Sequence, residues 1–472
     1  MLKLSAPVEG ALNYRVTALI IAIALFMEQI DATVLATALP TIARDFHAPV
    51  VSLSALITSY LLALAIFIPV SGRLADRFGA ATILRSAMAL FLAASLACAF
   101  APTISLMTVA RFVQGMSGAV MIPVCRLAIL RAARKDQIVA AMTWLITPTM
   151  LGPILGPPIG GLIVSHLDWR WIFYVNLPVG IIGIILIGLF IPNNRSPIAY
   201  RLDLRGFLLS AVSLGCLLFG FEDASRPGHE LDAVLLIVVG IAAGALYLLH
   251  ARRTEHPVLD FSLMKDRSFR LSMLAGSFLR ITGGAQVFLM PLLFQVGLGM
   301  SAAKSGLLVI STAGGAVLSK TVVMRLLGGL GFRRFMIVNG VAVAIAFACC
   351  GLFRNSWPEW AMVGVLMLSG AFISFQFSAY NSIAYERMEP ERLSAATSFY
   401  TTFQQLLLSV GVCTGALSLR VSMAFDKHPA PEPIDFTAAF AVVCSITVLA
   451  TFIHLAFPAD AGAGLMRSRN RR

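Results

Sequence analysis

The chain has 472 residues, of which 58% are hydrophobic and only 12% charged, with a formal net charge of +13. Ordinary soluble domains carry about 25% charged residues, so the composition excludes one. It also excludes a nucleic-acid binder, because the basic residues sit in short loops between long apolar runs rather than in a continuous patch.

Fourteen apolar runs follow in chain order, at about 15–39, 50–71, 82–101, 103–124, 138–165, 171–191, 204–221, 231–249, 270–297, 304–325, 334–353, 359–384, 394–418 and 436–457. Each approaches the roughly 20 residues that a membrane-crossing helix needs. An even number of spans returns both ends of the chain to one side. Of the 36 Lys and Arg residues, 26 fall in segments on that side, seven on the other (Arg44, Arg170, Arg226, Lys304, Arg354, Arg420 and Lys427), and Arg111, Arg280 and Lys320 inside spans. The positive-inside rule makes the side of the termini cytoplasmic. The first run is long and contains acids, so no cleavable signal peptide is expected. The cysteines, Cys98, Cys125, Cys216, Cys349, Cys350, Cys413 and Cys444, lie in or beside the apolar runs without metal-ligand spacing. They read as small packing residues rather than disulfides or ligands.

A faint internal repeat divides the chain. SGRLADRFGA at 71–80 precedes the third span, and MRLLGGLGFRR at 324–334 precedes the eleventh. Aligning Gly79 with Gly331 brings Arg73-Leu74 onto Arg325-Leu326. The expected fold is an all-α polytopic membrane protein of two six-helix bundles, over 1–192 and 270–472. An inserted pair of spans with cytoplasmic linkers, over 193–269, lies between them.

Charged groups inside a bilayer are costly and mark functional sites. The first span carries Glu28 and Asp31 on one helical face. Counted from Pro40 at 1.5 Å per residue, Asp31 lies about 13 Å deep, and Arg111, counted from Thr103, about 12 Å. Acid and base at matching depth point to a pair or a shared wet cavity. Glu28 lies deeper, where a carboxyl is costly as an isolated charge and suits uptake and release of a proton. Proton or substrate handling is one role open to these acids; a static ion pair that fixes helix packing is the other. Arg280 has three candidate partners: Glu28 or Asp31, substrate, or a structural group across the bundle. Lys320 lies nearer the cytoplasmic end and can snorkel. Gln29, Gln286, Gln295, Gln376, Asn381, Gln404 and Gln405 are polar at membrane depth, some as cavity candidates and most as interhelical hydrogen bonds. Phe26, Phe288, Phe375, Tyr380 and Tyr400 are candidates for an apolar wall or for packing.

The fifth span, WLITPTMLGPILGPPIGGLIVS at 144–165, holds Pro148, Pro153, Pro157 and Pro158, with Gly152, Gly156 and Gly160 every four residues. The prolines remove intrahelical hydrogen bonds, and the glycines share a face that admits another helix closely. The segment is built to bend and to pack tightly. Three enzyme or pump readings find no motif: there is no GxxxxGK[ST] loop, no HExxH or Cys/His cluster, and no GxSxG. No enzymatic activity, metal or cofactor is expected.

At these residues a resemblance becomes specific. Asp31-Ala-Thr-Val-Leu-Ala-Thr-Ala-Leu-Pro40, Gly72-Arg-Leu-Ala-Asp-Arg-Phe-Gly79, Arg111-Phe-Val-Gln-Gly115 with Gly118, Gly152-Pro153 through Gly156, Gly160 and Gly161, and Asp168-Trp-Arg-Trp-Ile-Phe-Tyr-Val-Asn-Leu-Pro178 follow one another in order. Together they resemble the major facilitator superfamily, in its fourteen-span drug/proton antiporter branch of the multidrug efflux type. The resemblance implies alternating access about a midplane site. It implies a cytoplasmic charge-and-helix-dipole latch at Asp76 and Arg77, within a conformational motif that includes Gly72 and Gly79, and tuning of the first-span acids by Arg111. It implies a sliding interface between the two halves at the fifth-span glycines Gly152, Gly156, Gly160 and Gly161, with Pro153, Pro157 and Gly115 as further conformational positions. The chain departs from the family pattern at Ala80, Ala81 and Thr82, where basic residues are usual, and at Ala36, where asparagine is usual. Gly328 stands in the second half where the first has Asp76.

The implied function is proton-coupled export of lipophilic drugs or toxic compounds from a bacterial inner membrane. Glu28, Asp31 and Arg111 would couple the proton. Gln29, Arg280, Gln286, Gln376, Asn381, Tyr400 and Gln404 are the cavity candidates. Small-molecule substrate, protons and membrane lipids are the expected partners, with a periplasmic adaptor and outer-membrane channel as further candidates and no nucleic acid. A dedicated exporter of one metabolite, lipid or peptide-like compound is the alternative, and a non-transporting sensor a third reading.

Overall fold

The computed structural model describes residues 14–132, 137–193, 203–224, 228–255, 257–386, 388–389, 392–428, 430–458 and 462. Among them no β-strand occurs, and fourteen helices are long and apolar enough to cross a membrane. They are α1 (Tyr14–Asp45), α2 (Val50–Phe78), α3 (Ala80–Ala99), α4 (Ile104–Leu130), α5 (Ala140–His166), α6 (Trp171–Phe190) and α7 (Leu204–Asp223). There follow α8 (Glu230–Ala251), α9 (Arg267–Gly297), α10 (Ala302–Val323), α11 (Phe332–Gly351), α12 (Glu359–Tyr385), α13 (Ala395–Asp426) and α14 (Pro433–His454). Helices suit this composition because a lipid-facing backbone has no water to bond and must satisfy itself. Lys3, Arg134, Lys135, Arg195, Arg201, Arg226, Arg387, Arg467, Arg469, Arg471 and Arg472, which enter the charge asymmetry, lie outside the described residues.

The two halves, α1–α6 and α9–α14, repeat one packing plan. In the first, α1 packs on α5, α2 on α4 and α3 on α6; in the second, α9 packs on α13, α10 on α12 and α11 on α14. The aligned glycines occupy equivalent turns. Gly79 ends α2 with φ +93° and Gly331 precedes α11 with φ +73°, a region that favours glycine. Each caps the preceding helix, which in the second half continues beyond the span to Leu330, with Gly79 N donating to Ala75 O at 2.9 Å and Gly331 N to Leu327 O at 3.0 Å.

The first span differs from its sequence reading. It does not end at Pro40 but runs through it to Asp45, so Asp31 lies about 21 Å from the true helix end at 1.5 Å per residue. Proline removes one hydrogen bond, and a helix packed among neighbours survives that loss. Four prolines likewise sit inside α5. At the end of α9, Pro291 is followed by a π-helical turn over Leu293–Gly297, the kind of local adjustment that re-satisfies backbone groups freed by a proline.

The inserted pair α7 and α8 packs as a hairpin, with Ser213 Oγ donating to Gly240 O at 2.9 Å. Its α7 lies against the seam where α2 meets α13: Leu218 shares a buried cluster with Leu62, Ile66 and Cys413. Thr58 also donates to Glu222 at 3.3 Å. The pair thus covers the join between the halves rather than standing apart.

Candidate functional site

A buried polar network lies inside the first half. Arg111, 1% exposed, donates from Nη1 to Asp31 Oδ2 at 2.6 Å, and Asp31 is itself 3% exposed. Asp31 Oδ1 accepts from Gln114 Nε2 at 2.9 Å and from Asn176 Nδ2 at 2.8 Å. Gln114 and Asn176 both also reach Ser95. Arg111 Nε reaches Leu56 O at 3.3 Å. This is a buried ion pair in which both carboxylate oxygens and the Nε and Nη1 of the guanidinium are bonded, which is what makes such a pair tolerable.

Glu28 sits beside this knot with different neighbours. Tyr60 donates its hydroxyl to Glu28 Oε1 at 2.9 Å, and Gln29 Nε2 donates to Oε2 at 2.6 Å. The Tyr60 ring also lies 4.4 Å beneath the Arg111 guanidinium. Tyr60 therefore joins the two acids' environments, a role its single position in an apolar run did not signal. Small residues make this approach possible: a Cβ on Gly118 would meet the Tyr60 hydroxyl at 3.0 Å, and one on Gly115 would meet Ala63 Cβ at 2.9 Å.

Gln29 faces both ways. It bonds Glu28 and also lines a cavity of about 650 Å³ between the halves. Gln286, Asn381 and Gln404, expected at the cavity, line it too, as do Pro153, Pro157, Phe377 and Lys320. Three expected cavity residues do not. Gln376 is buried in a second polar knot, accepting from Asn339 Nδ2 at 2.6 Å and lying 3.0 Å from His454 Nε2. That knot draws on α11, α12 and α14, the repeats of α3, α4 and α6 that supply Ser95, Gln114 and Asn176. Tyr400 is 2% exposed and packs beneath Arg280. Arg280 pairs with neither Glu28 nor Asp31; its guanidinium lies over Phe377 and Tyr400, at 4.9 and 4.5 Å, with a single long bond to Gln404 at 3.5 Å. Lys320 does not simply snorkel away: it lines the cavity and donates to Ser378 at 3.1 Å.

The glycine stripe of α5 also differs from expectation. A Cβ on Gly152 would meet Gln29 Cβ at 2.5 Å, on Gly156 Thr33 Cβ at 2.9 Å, and on Gly160 Val34 O at 2.7 Å. All three face α1, within the first half. The contact between halves uses the neighbouring face: a Cβ on Gly161 would meet Ala302 C at 2.9 Å, and one on Gly306 would meet Pro157 C at 2.8 Å. Four-residue spacing reveals a thin face but not the helix that fills it. Gly156→Leu is therefore expected to lower folded yield, by overpacking worth about 1–3 kcal/mol. Gly306→Leu, at the join, should leave a monodisperse protein that cycles poorly. Size-exclusion profiles and vesicle transport of the two variants check this, and the reverse pattern contradicts it.

Hydrogen bonds that join the halves sit toward the face opposite the termini. They include Gln295 Nε2 to Thr37 O at 2.9 Å, Ala303 N to Ser165 Oγ at 3.1 Å and Ser409 Oγ to Thr58 O at 3.2 Å. The cavity is thus closed on that side. It extends toward the terminal side through Lys320 and Asn381, about 27 and 33 Å along α10 and α12 from their starts. Near the latch sequence, Arg73 reaches Pro257 O at 3.4 Å, and the Arg77 guanidinium lies 5.2 Å over Phe78. A Cβ on Gly72 would meet no atom within 4 Å.

Asp426 at the end of α13, His428 in the loop after it and Asp435 in the first turn of α14 gather together. Asp435 accepts from Ser422, from His428 Nδ1 at 3.0 Å and from Glu432 N at 2.8 Å, so the group caps a helix and closes a loop. The bond to Asp435, aided by the charges of Glu432, Asp435 and Asp426, holds the pKa of His428 above its ordinary 6.5. A raised folded-state value gives stability that is complete below pH 6.5 and lost as pH rises through the raised value. The stability difference between the parent and His428→Ala should therefore shrink as pH rises from 6 to 9. Thermal unfolding across that range checks it; a difference that grows with pH contradicts it.

The sequence pattern of the Major Facilitator Superfamily matches residues 21–412, and again 271–463. The chain belongs to that superfamily. It is 35% identical over 439 residues to "Probable transport protein HsrA" of Haemophilus influenzae, covering 93% of this chain and 94% of that one. It is 34% identical over 460 residues to "Putative multidrug resistance protein MdtD" of Escherichia coli K12, covering 96% and 97%. Among solved structures, a D-xylose-proton symporter superposes with TM-score 0.70 at 15% identity over 95% of this chain and 99% of that one. The nucleoside transporter NupG superposes with TM-score 0.63 at 15% identity, covering 94% and 99%. At those identities the solved structures speak to the facilitator fold alone. This facilitator is a multi-pass membrane transporter built as two six-helix bundles with an inserted pair.

Proposed function

We propose that this facilitator is a proton-coupled exporter of small amphiphilic compounds in a bacterial inner membrane. It works by alternating access, and Glu28 exchanges its proton against the cargo. The observation that carries the reading is the position of Glu28, one side chain behind the cavity wall. It is bonded to Gln29, which lines the cavity, and to Tyr60, which touches Arg111. A proton entering Glu28 releases Gln29 into the cavity, where it takes space the cargo would fill; a seated cargo holds Gln29 against Glu28, where its N–H supports the ionised carboxylate, so cargo and proton oppose one another. Asp31 and Arg111, whose bonding groups are engaged with one another, Gln114, Asn176 and Leu56 O, act as the fixed anchor beside this exchange.

A cavity of about 650 Å³ falls in the size range of drug-sized ligand sites. The positive-inside asymmetry makes the terminal side cytoplasmic, so closure at the opposite face leaves the cavity directed toward the cytoplasm, as a loading exporter requires. The relative MdtD, named as a multidrug resistance protein, supports drug-like cargo. Residues 1–192 and 270–472 are proposed to rock as two units, with the pair within 193–269 carried on their seam. The test is cargo-driven proton movement in proteoliposomes. If Glu28→Gln leaves coupled transport intact, the assignment fails.

A further inference from the structure

We propose that the cargo carries a negative charge, as a carboxylate or sulfonate on an apolar body, and that Arg280 and Lys320 recognise it. This deepens the exporter reading above and rests on it. Lys320 is the one charged residue among those found lining the cavity, and no acid is among them. Glu28 and Asp31 are held behind the wall, Asp31 already neutralised by Arg111.

Arg280 supplies the second observation. It is 1% exposed, yet no carboxylate among the described residues pairs with it. Its Nε has no acceptor, and the hydroxyl of Tyr400 below it has no partner either. Its one hydrogen bond, at 3.5 Å, goes to Gln404, and it lies over Phe377; both residues line the cavity. Gly276 makes room for it, since a Cβ there would meet Arg280 Nη1 at 2.6 Å. Buried cations are normally paired and fully bonded. Ring faces attract a guanidinium but leave its N–H donors unused. A planar carboxylate fits those donors in a fork that a cationic or neutral cargo cannot reproduce. The wall around them is apolar, supplied by Met290, Val309, Ile373 and Leu408.

The charge has an energetic consequence. Exchange of an outgoing monoanion for one incoming proton carries two positive charges inward per cycle, so an inside-negative potential drives it. Exchange of a monocation for one proton carries none.

The test uses the full chain in proteoliposomes with two dyes that share a xanthene core, anionic fluorescein and cationic rhodamine 123. Proton flux and dye movement are read with and without a valinomycin-set potassium potential. The expected result is fluorescein export accelerated by the potential and at least tenfold above that of rhodamine 123. Arg280→Gln and Lys320→Gln should each lower fluorescein transport about tenfold, and Arg280→Lys should recover part of it. If Arg280→Gln fails to fold, Lys320→Gln and the potential dependence still decide. Export of rhodamine 123 alone, or fluorescein export indifferent to both cations, overturns the anion assignment while leaving the exporter reading intact. Absence of proton flux with both dyes and with a wider panel of neutral amphiphiles overturns both.

Discussion

Glu28→Gln should lose proton-driven transport by roughly 100-fold, a magnitude typical of removing one essential proton-transfer group, while cargo-for-cargo exchange across the same vesicles persists. Glutamine keeps the size of the side chain and its bonds to Tyr60 and Gln29 in altered polarity, so the site remains built while its proton is gone. Exchange needs only binding and rocking of the halves; net uphill export also needs the proton. Loss of both activities together would make Glu28 a packing residue. Retention of both would remove it from the mechanism.

Arg111→Met should destabilise the protein severely, because it leaves the Asp31 carboxylate, 3% exposed, without its countercharge. Breaking one side of a buried pair costs about 3–5 kcal/mol. The double change Asp31→Asn with Arg111→Gln removes both charges and keeps hydrogen-bonding groups facing Gln114 and Asn176, so it should recover most of the loss. Thermal unfolding in detergent of the parent, Arg111→Met, and the cycle of Asp31→Asn, Arg111→Gln and their double variant measures this directly. A double variant no better than the sum of its parts contradicts an anchoring pair. The same series separates the acids: if the double variant still moves protons with cargo, Asp31 is the anchor and Glu28 the carrier.

Much of the architecture was legible because the bilayer imposes so few solutions. Fourteen apolar runs became fourteen helices, and the faint match of Gly79 to Gly331 marked equivalent positive-φ turns in a repeated bundle. The Asp31–Arg111 contact was anticipated from depth, though the count used Pro40 as an end that α1 in fact passes. Helix ends are weak rulers where neighbours can hold a proline within a helix. The facing of side chains was less legible. Gly152, Gly156 and Gly160 revealed a thin stripe but not that α1 fills it. Gln376 looked like a cavity group and instead closes a buried knot with Asn339 and His454. Tyr60, Gln114 and Asn176 went unmarked as site residues, although Gln114 lies one turn after Arg111 and Asn176 stands in the motif that opens the sixth span. Arg280 and Lys320 were seen as intramembrane cations, but only the packed structure separates a cation with an acid partner from one without.

The central claim is that cargo and proton compete through Gln29 for one carboxyl. It predicts that cargo binding to the purified, weakly buffered protein releases protons. With fluorescein as the probe, the parent should release close to one proton per molecule bound in a pH-indicator titration, and Glu28→Gln should bind without release. Binding by the parent with no release of protons, or equal release from Glu28→Gln, would contradict the account.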